Sequence, residues 1–154
     1  VGRRAADGGN ADGAYCAIPF PEYIEQSNRE RFVILQIEDP EPLEELDAIA
    51  DLPGYDILLF GPGDFSHSIG APGQMDHPDI ARARERIARA AHKYGKFAGT
   101  VGAPSQKQSL IDMGYTFLNL GADVVGLGRY CREVADAFGI ESWNAPIAQY
   151  GGKE

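Results

Sequence analysis

Two acids in this chain stand where a carboxylate can do chemistry. Glu38 closes the apolar run VILQIE, and Asp64 follows the run DILLFG. They lie 26 residues apart (64 − 38), about one strand-plus-helix repeat, which places them on adjacent strands. Two carboxylates held side by side repel each other unless one is protonated or a cation bridges them. Oxygen ligands with open water positions suit Mg, Mn or Co far better than a closed zinc site. Asp64 is also wrapped in Gly61, Pro62 and Gly63. Pro62 stiffens the turn, and the glycines let backbone N–H groups approach a ligand closely. Such N–H groups beside a carboxylate-held cation could receive a small anion. Each acid also has an ordinary alternative. Glu38 could be a solvated or capping residue, and Asp39, just before PEPLEEL, is a good helix N-cap.

The elements around these acids set where they point. Residues 1–21, rich in Gly, Ala and Asp, predict a long loop. PEYIEQSNRER opens with Pro and acids and ends basic, as a short helix does. FVILQIE predicts a strand covered on both faces. DPEPLEELDAIADLPG puts Leu43, Leu46, Ile49 and Ala50 on one face of a helix of about three turns. DILLFG is a second buried strand, followed by a loop through Asp76. HPDIARARERIARAAHKYGK is a longer amphipathic helix closed by Gly95, its basic residues on the solvated face. Strand KFAGTVG, helix APSQKQSLIDMG, the run YTFLNLGADVVGLG as strand, loop and helix start, and helix RYCREVADAFG complete the chain's regular part.

Strand-then-helix repeated four times predicts an α/β fold with a parallel sheet and helices outside. An open doubly wound sheet and a (β/α) barrel both satisfy this pattern. Four units would be half of an eightfold barrel, with two unpaired strand edges. In either architecture the crevice lies beyond the C-terminal ends of the strands, the rim on which Glu38 and Asp64 fall. The expected domain covers residues 1–140, with 141–154 as an irregular extension in which Trp143 could pack on a neighbour.

A chain of 154 residues fits one domain. With 23 acids against 14 Lys and Arg, its net charge of −9 opposes generic binding to nucleic acid or anionic membranes. Small molecules or protein partners are left. No apolar run approaches the roughly 18 residues of a membrane span, and the start lacks a signal-peptide centre, so a cytoplasmic location is the default. Cys16 and Cys131 have no ligand spacing and are expected to be free structural thiols. Among the histidines, His67 could face the Asp64 loop, His77 suits a helix start and His92 a helix end. Gly121, Gly126 and Gly128 after the fourth strand support a rival, non-catalytic phosphate- or anion-binding (β/α) module. A third possibility is an interaction piece serving only assembly.

VILQIED, the acid of GPGDFS, then SIGAPGQMDHPDI and GKFAGTVG together resemble the HpcH/HpaI aldolase family, over most of the chain from VGRRAADGGN to VADAFG. The resemblance implies a (β/α)8 TIM barrel to which this chain supplies about four βα units, its C-terminal half. It also implies a class II aldolase, dependent on a divalent metal ion, that cleaves 4-hydroxy-2-oxoacids to pyruvate and an aldehyde. Dihydroxyheptenedioate and 2-keto-3-deoxy sugar acids belong to that substrate class. By resemblance, Glu38 and Asp64 are the metal ligands, and Gln36 touches substrate or a metal-held water. Gly63 and Asp64 offer backbone N–H groups to the pyruvate carboxylate, and Val101 lines the apolar side. The family's Arg and its His base would lie upstream of Val1, which together with the absence of Met at position 1 suggests a fragment. Asp39, Gly63 and Phe65 stand where the family commonly has Thr, Ala and Leu. Uncovered edge strands imply a homo-oligomer.

Overall fold

Apolar runs too short for helices, each followed by an amphipathic segment, give this chain its plan. A computed structural model describes residues 6–140. The chain divides after Phe32 into two compact units. The extension 141–154, with Trp143, lies outside the described residues.

In the first unit a 3-10 turn at Ala11–Gly13 precedes helix α1, Phe20–Glu30. Pro21 in the first turn and Arg29 in the last give α1 the polarity its sequence predicts. Tyr23 is its buried anchor, and the Tyr23 hydroxyl donates to Asp7 O. The Arg31 guanidinium donates to both Asp12 and the Tyr23 hydroxyl. Between turn and helix, Ala14, Tyr15 and Cys16 all take positive φ (48°, 55° and 70°). That conformation costs L-residues about 1–2 kcal/mol each. It is held by Tyr15 N–H donating to Asn10 O at 3.0 Å and Cys16 N–H to Gly8 O at 2.8 Å.

The second unit is built on one parallel sheet in the order β1 (Ile34–Ile37), β2 (Ile57–Phe60), β3 (Phe97–Val101), β4 (Phe117–Asn119). Strand alternation sends Leu35, Ile37, Leu58, Phe60, Ala98 and Leu118 to the face that the helices cover. Helix α4, Pro78–Lys93, carries Ile80, Ala83, Ile87 and Ala91 at helical spacing into that layer. Its cap is the His77 side chain, which accepts from Asp79 N–H at 3.2 Å. Burial of each large apolar side chain here contributes about 1.5–3 kcal/mol. The short helices α2 (Leu46–Asp51) and α5 (Lys107–Asp112) and the longer α6 (Asp123–Ala137) complete the set, with α3 (Pro62–Ser68) at the rim.

Several elements depart from the sequence expectation. The predicted three-turn helix after Glu38 is broken into a 3-10 turn, Glu41–Leu43, and α2. Pro40 and Pro42 remove two amide donors, so the first turn closes by tighter bonds, Leu43 N–H to Pro40 O and Glu44 N–H to Glu41 O. Leu43, Leu46 and Ala50 are buried as expected. Of the two strands expected to be buried, β2 is covered on both faces, whereas β1 is an edge strand and leaves Ile34 exposed. Finally, α6 begins at Asp123, so Gly126 and Gly128 are helical. Gly126 N–H already donates to Ala122 O at 3.1 Å, which removes the expected glycine nest and leaves only Gly121 in the turn. Both cysteines are exposed free thiols rather than core residues. Among the described residues no helix is long and apolar enough to cross a membrane.

Candidate functional site

The register of β1 and β2 pairs Ile37 with Phe60, so the two strands end at one level. Glu38 and Gly61 are the next residues out, and Gly61 N–H donates to Ile37 O at 2.9 Å. A Cβ on Gly61 would lie 2.9 Å from Gln36 Nε2 and 3.3 Å from Glu38 Cβ. Glycine here gives room for the Gln36 and Glu38 side chains; an added methyl would displace the Gln36 amide and press on Glu38 Cβ. Gln36 lies on the sheet face away from the helices and donates from Nε2 to Glu38 Oε2. Glu38 is half-buried, and Asp64 is exposed. Neither forms an ion pair with a basic side chain among the described residues.

The segment around Asp64 is a helix rather than the predicted loop. Pro62 is the first residue of α3, where its missing N–H costs nothing, and Gly63 and Asp64 complete the first turn. Amides in a first helical turn have no acceptor inside the helix. A Cβ added to Gly63 would meet nothing within 4 Å, so the space in front of this turn is open. Behind it, Phe65 is buried edge-on against Phe60, ring centroids 5.3 Å apart, and fastens α3 to the end of β2.

Two hydroxyls that sequence reasoning passed over hold α3 in place. Ser66 Oγ donates to Gly63 O at 2.6 Å and accepts from Gly73 N–H at 3.0 Å. Ser68 Oγ donates to Asp39 Oδ1 at 2.6 Å. Asp39 thus accepts from α3 and is not the helix cap its position predicts; Pro40 occupies the cap of the following turn. The only sequence signal for Ser66 is its i, i+3 spacing from Gly63, and Asp39–Ser68 has none.

Val101 ends β3 one residue beyond Thr100, which pairs with Phe60, and is half-buried on the same rim. The structure thus brings Gln36, Glu38 and Gly61 into contact and sets Gly63, Asp64 and Val101 at the same end of the sheet. No His, Cys, Asp or Glu joins the two acids in a group of three among the described residues. His67 is exposed in the last turn of α3. His92 ends α4 with Nε2 2.7 Å from Gly114 O, a bond between elements on the helix side. Arg84, also on the helix side, lies 5.9 Å over the Phe60 ring, with Nε buried and without a hydrogen-bond partner. Burial pulls its pKa down.

Four parallel strands in chain order, helices on one face and acids beyond the strand ends define part of a (β/α) barrel of the TIM-barrel family. The chain belongs to the HpcH/HpaI aldolase/citrate lyase family, whose model matches residues 7–128. It is 38% identical over 114 residues to a hydroxypyruvate/pyruvate aldolase of Paraburkholderia phytofirmans, covering 73% of this chain and 44% of that protein. It is 31% identical over 119 residues to a 5-keto-4-deoxy-D-glucarate aldolase of Klebsiella pneumoniae, covering 77% and 46%. The structure of an HpcH/HpaI aldolase/citrate lyase family protein from Burkholderia cenocepacia matches with a TM-score of 0.72 at 29% identity, over 90% of this chain and 53% of that one. The chain spans about half the length of the curated relatives it matches.

Proposed function

We propose that this chain carries the metal-binding side of a divalent-metal-dependent aldolase that cleaves 4-hydroxy-2-oxoacids to pyruvate and an aldehyde. The observation that carries the proposal is the common level at which Glu38 and Gly61 leave β1 and β2, with α3 presenting Asp64 just beyond. The donor set fits a hard cation: two carboxylates free of basic partners among the described residues, with open positions for water or substrate oxygens. Mg, Mn and Co share this preference. The chemistry such an ion supplies is Lewis-acid polarisation of the substrate's 2-oxo group while the C3–C4 bond breaks.

The chain's own residues divide the remaining work. Glu38 and Asp64 hold the cation, and Gln36 orients Glu38 through the bond from its Nε2, as outer partners of ligands commonly do. Gly63 and Asp64 N–H groups receive the substrate carboxylate in the open space before α3, and Val101 walls the apolar side. Proton transfer is left to water or to groups outside the described rim. The 31–38% identical relatives named as aldolases support the reaction class.

Titration of Mn²⁺ into the wild type, Glu38→Gln and Asp64→Asn, with melting temperatures in EDTA, tests the site. Each substitution should abolish binding and leave metal-free stability unchanged or raised, since like-charge repulsion is relieved. Unchanged affinity in Asp64→Asn would remove the metal site. The open edges of β1 and β4 further support self-association of the chain; light scattering from a stable monomer at micromolar concentration would exclude it.

A further inference from the structure

Ser66 and Thr100 are the polar residues buried among the described residues. Thr100 spends its hydroxyl within the sheet, donating to Phe60 O at 3.2 Å. Ser66 does something different. Its hydroxyl donates to Gly63 O at 2.6 Å and accepts from Gly73 N–H at 3.0 Å, and its own carbonyl accepts from Ala71 N–H at 2.8 Å. Gly70 and Gly73, both at φ +75°, let the chain reverse after α3 so that these bonds can form. Residues 69–73 are thereby folded back onto α3.

The bond to Gly63 bears on Asp64. Gly63 O belongs to the planar peptide unit that ends in Asp64 N and Cα, so holding the oxygen fixes the plane from which the Asp64 side chain departs. The backbone ladder of α3, which opens with Phe65 N–H donating to Gly61 O at 3.1 Å, also holds this turn, and the Ser66 hydroxyl adds a buried side-chain tie to it. The space an added Cβ would fill at Gly63 is empty to 4 Å, and Asp64 itself is exposed. Phe65 against Phe60 fixes where α3 sits, and the Ser66 hydroxyl acts on the Gly63–Asp64 peptide itself.

We propose that Ser66 is a positioning residue for Asp64, its buried hydroxyl locking the Gly63–Asp64 peptide so that the carboxylate meets a cation shared with Glu38. The proposal rests on the assignment of Glu38 and Asp64 as one metal site. Ser66 itself does not touch the ion. An alanine here removes the tie to Gly63 O and leaves Gly73 N–H without its acceptor, so the first turn regains a freedom that the cation must then restrain.

The experiment is calorimetric titration of Mn²⁺ into the wild type, Ser66→Ala, Ser66→Cys and Asp64→Asn, with melting temperatures measured in EDTA. Ser66→Ala should weaken Mn²⁺ binding about tenfold, the factor that one buried hydrogen bond is worth. Ser66→Cys matches serine closely in size with a much weaker donor. It should weaken binding in the same direction, and it decides the matter if the alanine variant does not fold. A fall in melting temperature with Mn²⁺ affinity unchanged would make Ser66 merely structural and overturn the inference alone, provided Asp64→Asn has lost binding. Wild-type affinity in Asp64→Asn, or no binding by the wild type, would instead remove the metal site and this inference with it.

Discussion

Ser68 Oγ donates to Asp39 Oδ1 at 2.6 Å, joining the last turn of α3 to the residue that follows Glu38. The bond spans 29 residues of chain and links the segments that carry the two rim acids. Both partners are exposed, so its worth is modest. A cycle of Asp39→Ala, Ser68→Ala and the double variant should give a coupling of about 0.5–1.5 kcal/mol in urea unfolding. Strict additivity would show that the bond contributes nothing in solution.

Gly61 and Gly63, two residues apart, should respond oppositely to the same methyl. Gly61→Ala puts a Cβ 2.9 Å from Gln36 Nε2 and 3.3 Å from Glu38 Cβ. It should cost about 1–3 kcal/mol and weaken Mn²⁺ binding, because Glu38 has to move. Gly63→Ala meets open space within a helix and should be neutral or stabilising by up to about 1 kcal/mol, with Mn²⁺ affinity kept. Calorimetry and thermal melts on the pair check this; equal responses would mean the Gly61 seam is not tight.

Tyr115 should make the fold sensitive to alkali. It is buried beneath the sheet's helix layer, and burial pushes its phenol pKa well up from the ordinary value. The folded state therefore holds the phenolic proton more tightly than the unfolded chain. The resulting stability is complete below the unfolded pKa, about 10, and is lost progressively as pH rises from there toward the raised folded value. Tyr55, shifted the same way by burial, adds to the trend. Tyr115→Phe should cost about 1 kcal/mol near pH 7, since the hydroxyl donates to Arg84 O at 2.8 Å. It should also flatten the loss between about pH 9 and 11. Urea midpoints across that range, equal in slope for both proteins, would count against the assignment.

What the sequence discloses depends on which physical signal each residue carries. ILLF at 57–60 announces a central strand because every position is apolar, and each is buried. ILQI at 34–37 looks similar, but its burial depends on neighbours that a pattern cannot count, and as an edge strand it is covered on one face. The rim level of Glu38 follows from where β1 stops, and so was legible. Helix α3 was not, because Gly-Pro-Gly suggests a turn; the helical reading lay in Pro62 at the first position and Asp64 in the first turn, both ordinary helix-start signals. Gly126 and Gly128 misled in the same way, their helical state being imposed by the length of α6. The tie from Ser68 to Asp39 joins residues with no shared motif, and only the fold brings them together.

The sheet's strand order is also the order of synthesis. Each strand after the first leaves the ribosome to find its partner's edge already made: β2 docks on β1, β3 on β2 and β4 on β3. By the time Val101 has emerged, three strands and α4 can already associate, with Ile80 and Ile87 of that helix covering Leu58 and Ala98. The longest of these pairings, Ile57 with Phe97, closes 40 residues of chain (97 − 57), and every strand still pairs with its immediate predecessor. The rim that carries Glu38 and Asp64 is thus built from β1, β2 and α3, all of which leave the ribosome ahead of β4 and α6.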